Sequence, residues 1–401
     1  MNICPIPFPP HPSGTLDIST TVHRAGWVIA SPHAIYKNGY VAVENGWITS
    51  VGMGSAPPCP KTIDHGPGVL APALVNAHTH LELGALRNKI SYHQAFSKWV
   101  ATLLEKRTAL SNEQIMAGIQ CGIDELKQSG CAVIGDISSL GYSRRPLANS
   151  HLSGIYFREF LGNLIPEPTD FLSATGTLRN SLAGHAPHTT SPNLLKAIKK
   201  ATRKKGLPMS IHLSESGDEL TFILSAGGDW ADFLFQRGID FSTWGLPCAT
   251  PVVHLDRLGI LDNKTVAVHL LQARQKDFDL LAKHGVNICV CPRSNFNLHG
   301  KLPDISGMLS TGLNVCFGTD SLASVSTLSV WDEMKLVAIN YPSISPQEIF
   351  AMATVNGARA LGFETQFGML KQGMFPAMLY LPVNASNPST LLEKMVYGEE
   401  D

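Results

Sequence analysis

The chain has 401 residues, which is too long for one small hydrophobic core and suits a (β/α)8 barrel of about 250 residues plus an accessory module. Its 44% hydrophobic and 16% charged residues indicate a packed globular protein and argue against disorder. A net charge of −1 gives no electrostatic support for nucleic-acid binding, and no apolar run approaches the length of about 18 residues that spans a membrane.

The first 14 residues, MNICPIPFPPHPSG, have neither the basic nor the apolar region of a signal peptide. The eight cysteines form no C-x-x-C pair, which favours free thiols in a reducing compartment. We therefore expect a cytoplasmic protein that has no membrane or nucleic-acid partner.

The N-terminal part is predicted to be β-structure. Short runs rich in β-branched and aromatic residues at 27–30, 40–43 and 47–51 are separated by Gly, Asn and Pro. Asn-Gly pairs at 38–39 and 45–46 predict two hairpin turns. These features indicate a small sheet module.

From Gly68 onward, apolar strand-like runs alternate with amphipathic helical stretches. The predicted strands are 69–76, 132–136, 154–157, 182–186, 209–212, 265–269, 286–291 and 315–318, and the clearest predicted helices are 112–129, 193–205, 275–284 and 328–340. Eight strands separated by helices favour a (β/α)8 barrel over a smaller doubly wound sheet. Beyond Thr354 the pattern is helical, and then come short strands at 367–370 and 377–383, placed to complete the N-terminal sheet.

The most informative residues are His78 and His80, in the run Val-Asn-Ala-His-Thr-His. Residues two apart on a strand face the same side, so both imidazoles would point to one place at the mouth of the barrel, where barrel active sites lie. One divalent ion can bind both. For this motif alone, two surface histidines that meet by chance are the alternative.

Three later strands also end in ionisable residues, namely His212, His269 and Asp320. A polar residue at the tip of an apolar strand is costly unless it is paired or functional. Each residue alone could be a satisfied polar group at a strand end, but all of them lie at the same end of the alternating units. Imidazoles combined with a carboxylate form the ligand set expected for Zn²⁺ or Fe²⁺.

With these residues in view, the sequence resembles the amidohydrolase superfamily, in particular its chlorohydrolase/deaminase branch, over essentially its whole length. The matching segments are VNAHTH (75–80), HLSE (212–215), VH (268–269), CPRSN (291–295), GTDS (318–321), ATVNGARALG (353–362) and the turn at 368–376. The resemblance implies metal ligation by His78, His80, His212 and Asp320. It also implies a (β/α)8 TIM barrel over 71–360 and a small β-sandwich built from 1–70 and 361–401.

The expected number of metal ions follows from the absence of a lysine in the region of strand 4. Binuclear members of the family need a bridging lysine from strand 4, and no lysine occurs between Lys127 and Lys196. We therefore expect one divalent ion, with Zn²⁺ as the first choice and Fe²⁺ as the alternative.

The catalytic roles are assigned to three residues. Asp320 would take a proton from the activated water, and His269 would stabilise the oxygen that develops during attack. Glu215, three residues after His212, would give a proton to a ring nitrogen, which favours deamination over the hydrolysis of a simple cyclic amide. A surface salt bridge is the alternative for Glu215. No H-x-E followed by P-C-x-x-C occurs, which excludes a zinc site of the cytidine-deaminase type.

Substrate contacts are predicted less directly. The candidates are His185, Glu105, Arg158, Arg293, Ser294 and Asn295. His185 lies in His-Ala-Pro-His, where the family usually has tyrosine in place of His188, so shared substrate detail at that position is in doubt. Glu105 matches a ribose-binding glutamate of adenosine-type members, and Arg158 or Arg293 would pair with a substrate carboxylate. Ordinary structural roles are the alternatives for these residues.

Several details are most similar to the aminodeoxyfutalosine deaminases, namely HTHLELG after strand 1, the stretch 228–251 and CPRSN with GTDSLAS. This resemblance implies conversion of 6-amino-6-deoxyfutalosine to futalosine and ammonia in menaquinone biosynthesis. The alternatives are deamination of S-adenosylhomocysteine or 5′-methylthioadenosine, guanine or triazine hydrolysis, and a non-enzymatic binding module. The expected partner is a small purine nucleoside. Members of the family often form homodimers, and the residues themselves carry no signal on this state.

Overall fold

The computed structural model describes residues 4–5, 20–92, 94–164 and 171–398. Within these ranges two sheets organise the chain, a parallel barrel and a smaller mixed sheet. The signal-peptide expectation concerned residues 1–14, most of which lie outside the described residues.

The smaller sheet uses both ends of the chain, as predicted. Its strands are β1 (Cys4–Pro5), β2 (Thr21–Ser31), β3 (Ala34–Glu44), β4 (Trp47–Met53), β5 (Lys61–Asp64), β6 (Val69–Pro72) and β15 (Met378–Leu381). Their order is β1-β15-β6-β2-β3-β4, with β5 paired to β2. The C-terminal strand β15 runs antiparallel to β6, which places residues 378–381 beside the start of the barrel.

Eight parallel strands form the barrel in sequential order, which confirms the predicted fold class. They are β7 (Leu74–Thr79), β8 (Cys131–Ser138), β9 (Ser153–Phe160), β10 (Leu178–Gly184), β11 (Met209–Leu213), β12 (Thr265–His269), β13 (Asn287–Val290) and β14 (Asn314–Phe317). Most of these strands are buried along their whole length, as expected of parallel strands that are covered on both faces.

The barrel closes between its first and last strands just beyond their hydrogen-bonded ends. A parallel bridge joins Thr79 to Asp320. The carbonyl oxygen of His78 accepts hydrogen bonds from the backbone N–H groups of Thr319 (3.0 Å) and Asp320 (3.1 Å). The seam of the barrel therefore passes through residues that were predicted to bind metal.

The helices surround the barrel and lie in its connections. They are α1 (Phe96–Thr108), α2 (Asn112–Gln128), α3 (Arg144–Asn149), α4 (Pro192–Lys205), α5 (Gly217–Ser225), α6 (Asp229–Gln236), α7 (Pro251–Arg257), α8 (Gln275–Lys283), α9 (Pro292–His299), α10 (Ile305–Ser310), α11 (Val330–Asn340), α12 (Pro346–Ala353), α13 (Val355–Ala360) and α14 (Pro388–Tyr397), with a 3₁₀ turn at Leu81–Leu86. The four predicted helices are confirmed with small boundary shifts. In α4, for example, the Ser191 hydroxyl caps the first turn and Gly206 ends the helix with a positive φ of 66°.

Three predictions about the small module and its junction are wrong in detail. The run 69–76 is two strands, because Pro72 has no N–H to continue a ladder and β6 ends there. Asn38-Gly39 lies inside β3, and only Asn45-Gly46 forms the predicted hairpin turn, with φ of 53° and 77°. Residues 367–370 form a turn at Gly368 (φ 94°), not a strand.

None of the helices that the structure describes has the length and apolar character needed to cross a membrane. The cysteines whose side chains are described are all free thiols.

Candidate active site

The carboxyl ends of β7, β11, β12 and β14 bring five ionisable side chains together. His78 lies on β7 with His80 directly after it, His212 lies on β11, His269 ends β12, and Asp320 follows β14. This is the end of the barrel at which active sites of the fold lie. The cluster joins segments that are up to about 240 residues apart in the sequence.

The spacing of the ligand atoms fits one small cation. The Nε2 atom of His80 lies 3.1 Å from that of His78 and 3.3 Å from that of His212. Asp320 Oδ1 lies 3.9 Å from His78 Nε2 and 3.6 Å from His80 Nε2. In a tetrahedral site with metal–nitrogen distances of about 2.0–2.1 Å, neighbouring ligand atoms are about 3.3 Å apart. The residues present therefore fit a single divalent ion such as Zn²⁺.

The three histidines that are predicted to bind the metal are kept neutral, which is the form that binds a metal ion. Burial and the neighbouring histidines hold the pKa of His78 well below its usual range. Burial, followed by the nearby His269, lowers the pKa of His80 to about 3, and the same causes lower that of His212 to about 4. Neutral histidines at physiological pH need not lose protons before they bind a cation.

Contacts behind the ligands orient them. The Nδ1 of His212 hydrogen-bonds the backbone oxygen of His185 at 2.8 Å, which directs Nε2 toward the cluster. The Oδ2 of Asp320 accepts hydrogen bonds from Ser294 Oγ (2.6 Å) and Ser324 Oγ (3.1 Å). Because these hydroxyls occupy Oδ2, Oδ1 is the oxygen that faces the histidines.

His269 is held in a comparable way. The Nδ2 of Asn295 donates to its Nδ1 at 3.2 Å, so Nε2 is the ring nitrogen that carries a proton. His269 and Asp320 have positive φ values of 79° and 60°, a conformation that is unfavourable for residues with a side chain. Backbone strain of this kind concentrates at functional sites, where the surrounding structure enforces it.

Glu215 lies between two histidines at the edge of the cluster. Its Oε2 is 3.8 Å from His269 Nε2 and its Oε1 is 3.5 Å from His299 Nε2. Burial would raise the pKa of Glu215, but His269 and His299 outweigh it, and the net pKa lies below the usual range. The resting residue is therefore a carboxylate that can accept a proton and pass it on.

A cavity of about 200 Å³ opens beside these residues. Much of its wall is apolar, with contributions from Phe96, Trp99, Leu103, Trp230, Phe233 and Leu298. His80, His212, Glu215, His269 and Asp320 lie in the polar part of the wall, together with His185 and His188. Such a pocket, apolar with a few convergent polar groups, is typical of a small-molecule site.

The predicted substrate residues fall into two groups. His185 lines the cavity, and its Nδ1 is paired with Thr189 Oγ1 at 2.6 Å. Glu105, on α1, is exposed to solvent and is not among the described residues of the wall, nor is Arg158.

The CPRSN segment lies behind the cluster and does not line the cavity. Arg293 points away, with Nη1 at 3.3 Å from Asp332 and 2.9 Å from Thr327. Ser294 and Asn295 are fully buried and contact the cluster residues described above.

Three charged residues of the wall were not predicted from the sequence, namely Glu82, Arg107 and Glu159. Arg107 lines the cavity, whereas Glu105 does not, because Arg107 continues the helical face of Val100, Leu103 and Leu104. That periodicity was readable in the sequence. The guanidinium of Arg107 donates a hydrogen bond to Ser139 Oγ at 3.2 Å.

Glu159 lies on the strand face opposite to that of its neighbour Arg158. Burial raises the pKa of Glu159 to about 8, in spite of the nearby Arg107.

Comparison with known proteins agrees with this geometry. The model of the amidohydrolase family matches residues 69–381. The chain is 30% identical over 320 residues to the aminodeoxyfutalosine deaminase of Deinococcus radiodurans, covering 75% of both chains. It is 28% identical over 348 residues to a 5-methylthioadenosine/S-adenosylhomocysteine deaminase of Carboxydothermus hydrogenoformans, covering 82% of this chain and 75% of that one.

Among solved structures, the fold is similar to that of Helicobacter pylori aminofutalosine deaminase in complex with methylthio-coformycin. The TM-score is 0.83 at 24% identity, with 94% of this chain and 96% of that chain covered. At this identity the likeness concerns the fold alone.

Proposed function

Because the chain belongs to the amidohydrolase family and is a hydrolase of carbon–nitrogen bonds, we propose that it deaminates a 6-aminopurine nucleoside, with 6-amino-6-deoxyfutalosine as the substrate and futalosine and ammonia as the products. The observation that carries the proposal is the position of Glu215. Its carboxylate lies beside the cluster of histidines and Asp320 and lines the cavity, where it can reach a ring nitrogen of a bound purine.

The ion, for which we propose Zn²⁺ with Fe²⁺ as the alternative, would supply a water that is activated at neutral pH. His78, His80, His212 and Asp320 Oδ1 would hold it. The chain's own part of the reaction is proton transfer and orientation, and it is carried by Asp320, Glu215 and His269.

The reaction proceeds by attack of a water at C6 of the purine. The resting Glu215 carboxylate takes one proton from this water and delivers it to N1, so that the ring accepts electrons as the new C–O bond forms, and Asp320 takes the second proton of the water. The Nε2–H of His269 donates a hydrogen bond to the oxygen at C6. Asp320 passes its proton to the amino group, which leaves as ammonia when the C–N bond breaks, and an oxo group remains at C6.

A carboxylate elsewhere on the substrate needs a cationic partner. The cavity wall offers an arginine other than the predicted Arg158 and Arg293. Among the described residues of the wall, Arg107 is the single lysine or arginine, and the same wall includes the aromatic side chains of Phe96 and Trp99. We assign it the pairing with a substrate carboxylate that was expected of Arg158 or Arg293. An aromatic acid such as the benzoate of aminodeoxyfutalosine suits a wall of this composition.

The test is a panel of 6-aminopurine nucleosides with and without a carboxylate, assayed for ammonia release and for loss of the adenine absorbance band. We expect Arg107→Leu to raise KM for aminodeoxyfutalosine about 10- to 100-fold, in line with the loss of about 1.5–3 kcal/mol for a charged hydrogen bond. Adenosine and 5′-deoxyadenosine, which carry no carboxylate, should be unaffected.

Lys106→Leu is the matched control, because Lys106 is the next residue of α1 and faces solvent. Failure of the metal-loaded protein to turn over any 6-aminopurine nucleoside would refute the proposal.

A second candidate is supported by the similarity to the methylthioadenosine/S-adenosylhomocysteine deaminase. The apolar wall is equally compatible with a thioether at the 5′ position. The same panel separates the two, because a preference for 5′-methylthioadenosine over aminodeoxyfutalosine, insensitive to Arg107→Leu, would support this alternative. Retention of full activity by Glu215→Gln would instead favour hydrolysis of a ring amide or a chlorinated heterocycle.

A further inference from the structure

Another buried glutamate, Glu219, binds the backbone of the segment that carries Glu215. Glu219 lies on the first turns of α5, and its side chain is fully buried. Its Oε1 accepts the backbone N–H of Ser214 at 3.0 Å, and its Oε2 accepts the backbone N–H of Glu215 at 2.7 Å. One carboxylate therefore binds two consecutive N–H groups through its two oxygens.

The turn that Glu219 holds is otherwise unfavourable. Ser214 has a φ of 52°, a left-handed conformation that residues with a side chain seldom adopt. This conformation turns the chain sharply as it leaves β11. The N–H groups of Ser214 and Glu215 are buried, and a buried N–H without an acceptor is costly. A charged carboxylate is a strong acceptor for both of them.

Other contacts fix the same turn from its outer side. The Ser216 hydroxyl accepts the N–H of Glu219 at 3.1 Å, and the Ser214 carbonyl accepts the N–H of Gln272 at 2.8 Å. Glu219 is not among the described residues that line the cavity. It therefore acts on a bound molecule only through other residues.

We infer that Glu219 is a positioning residue that fixes the direction of the Glu215 carboxylate toward the substrate ring. The inference rests on the proposed function, because it takes the proton transfer by Glu215 as the step that depends on this direction. A displacement of about 1 Å at a reacting group can cost about 100-fold in rate, so the backbone turn behind Glu215 is under strict geometric demand.

A second neighbour of Glu219 has to be separated from this role. His188 is buried, lines the cavity, and has its Nδ1 at 3.9 Å from Glu219 Oε1. Loss of the Glu219 charge could therefore also act on the substrate through His188.

The experiment is a double-mutant cycle on kcat and KM with the metal-loaded protein. Glu219→Gln keeps the shape but replaces one accepting oxygen with an NH₂ group that opposes a backbone N–H. We expect kcat to fall about 10- to 100-fold, with KM within about threefold of the wild-type value and metal content unchanged. In the Glu215→Gln background the same substitution should cost nothing further, because its effect passes through Glu215.

An equal loss in both backgrounds, or a loss of bound metal, would overturn the inference. If the effect instead disappears in a His188→Phe background, Glu219 acts through His188 and the inference is again wrong. Asp218→Asn, the neighbouring acidic residue on α5, serves as the control. Should Glu219→Gln fold poorly, Glu219→Asp, which keeps the charge on a shorter side chain, gives the same cycle with a smaller expected loss. Inactivity of the wild type on every nucleoside would refute the proposed function, whereas an active wild type with an additive cycle refutes only the inference.

Discussion

The hydroxyl of Ser294 donates a hydrogen bond of 2.6 Å to Oδ2 of Asp320, and the next residue, Asn295, hydrogen-bonds His269. Consecutive residues in the first turn of α9 thus hold two different members of the cluster. Arg293 anchors this turn, since its backbone N–H donates to Glu333 Oε2 at 3.0 Å. The CPRSN segment therefore supports Asp320 and His269 from behind the site. This position differs from the substrate-binding role predicted for the segment.

Ser294→Ala removes one of the two hydroxyls bound to Asp320 and leaves Ser324. We expect kcat to fall about 10-fold, the equivalent of about 1.4 kcal/mol, with KM little changed, because the hydrogen bond orients a reacting group and not the substrate. Steady-state kinetics on the metal-loaded variant measure this. The control is Ser326→Ala, which removes an exposed hydroxyl that contacts Arg293. A rise in KM alone would indicate that Ser294 contacts the substrate after all.

Gly318→Ala should weaken metal binding. A Cβ at Gly318 would lie 2.7 Å from His78 Cβ and 2.8 Å from Cys289 Sγ, so His78 would have to move. We expect the metal content to fall below one equivalent, and the free energy of unfolding to drop by about 1–3 kcal/mol. Elemental analysis and urea titration measure the two effects. Gly227→Ala, where a Cβ meets only ordinary contacts, should change neither, and an unaltered metal content in Gly318→Ala would contradict the geometry described.

Treatment with a chelator should abolish activity and lower the melting temperature, because a bound ion stabilises the folded chain by mass action. Addition of one equivalent of Zn²⁺ or Fe²⁺ should restore both, and elemental analysis should then give one ion per chain. Two ions per chain, or full activity in the metal-free protein, would be incompatible with a single site at His78, His80, His212 and Asp320.

Protonation of His23 should lower the stability of the small sheet at acidic pH. The Nδ1 of His23 lies 3.0 Å from His65 Nε2. Burial, followed by the charge of His65, lowers the pKa of His23 to about 4 from its ordinary 6.5. At pH values between these two pKa values, the unfolded chain binds more protons than the folded chain. The contribution of His23 to the free energy of unfolding is therefore fully present above pH 6.5 and is lost as the pH falls toward 4. The loss attributable to His23 is about 2 kcal/mol after an allowance for solvent screening.

This contribution is measured from urea titrations at pH 7.0 and 4.5 for the wild type and His23→Asn. The variant should lose less stability on acidification than the wild type. His33→Asn, at an exposed position in the turn after β2, should behave like the wild type. An equal pH dependence in His23→Asn and the wild type would refute the role of His23.

The sequence was sufficient for the barrel and for the convergence of the predicted site residues because both depend on local patterns. Parallel strands that are buried on both faces are continuous apolar runs, and the ionisable residues of the cluster lie at or near the ends of those runs, as His212 and His269 illustrate. The same logic failed at Pro72, where one apolar run serves two different sheets. Nothing in the run itself tells which partner each half pairs with.

The substrate wall was harder to predict because its side chains come from helices and connections whose orientation is set by tertiary packing. Glu105 was chosen by resemblance, although the periodicity of α1 points to Arg107. Ser294 and Asn295 were assigned to the cavity because they follow a strand, but the helix that starts at Pro292 turns them inward. The positions of these side chains depend on contacts between segments that are remote in the sequence. A single sequence carries no direct signal for such contacts.

The bridge between Thr79 and Asp320 has a consequence for how this enzyme can change over evolution. The last join of the barrel wall is made at Asp320, one of the residues proposed to bind the ion, so the ring cannot loosen there without disturbing the proposed ligands. Substitutions that tune catalysis at this join will tend to alter the strength of the whole scaffold, whereas the cavity wall formed by α1 and α6 is free to diversify toward new nucleosides.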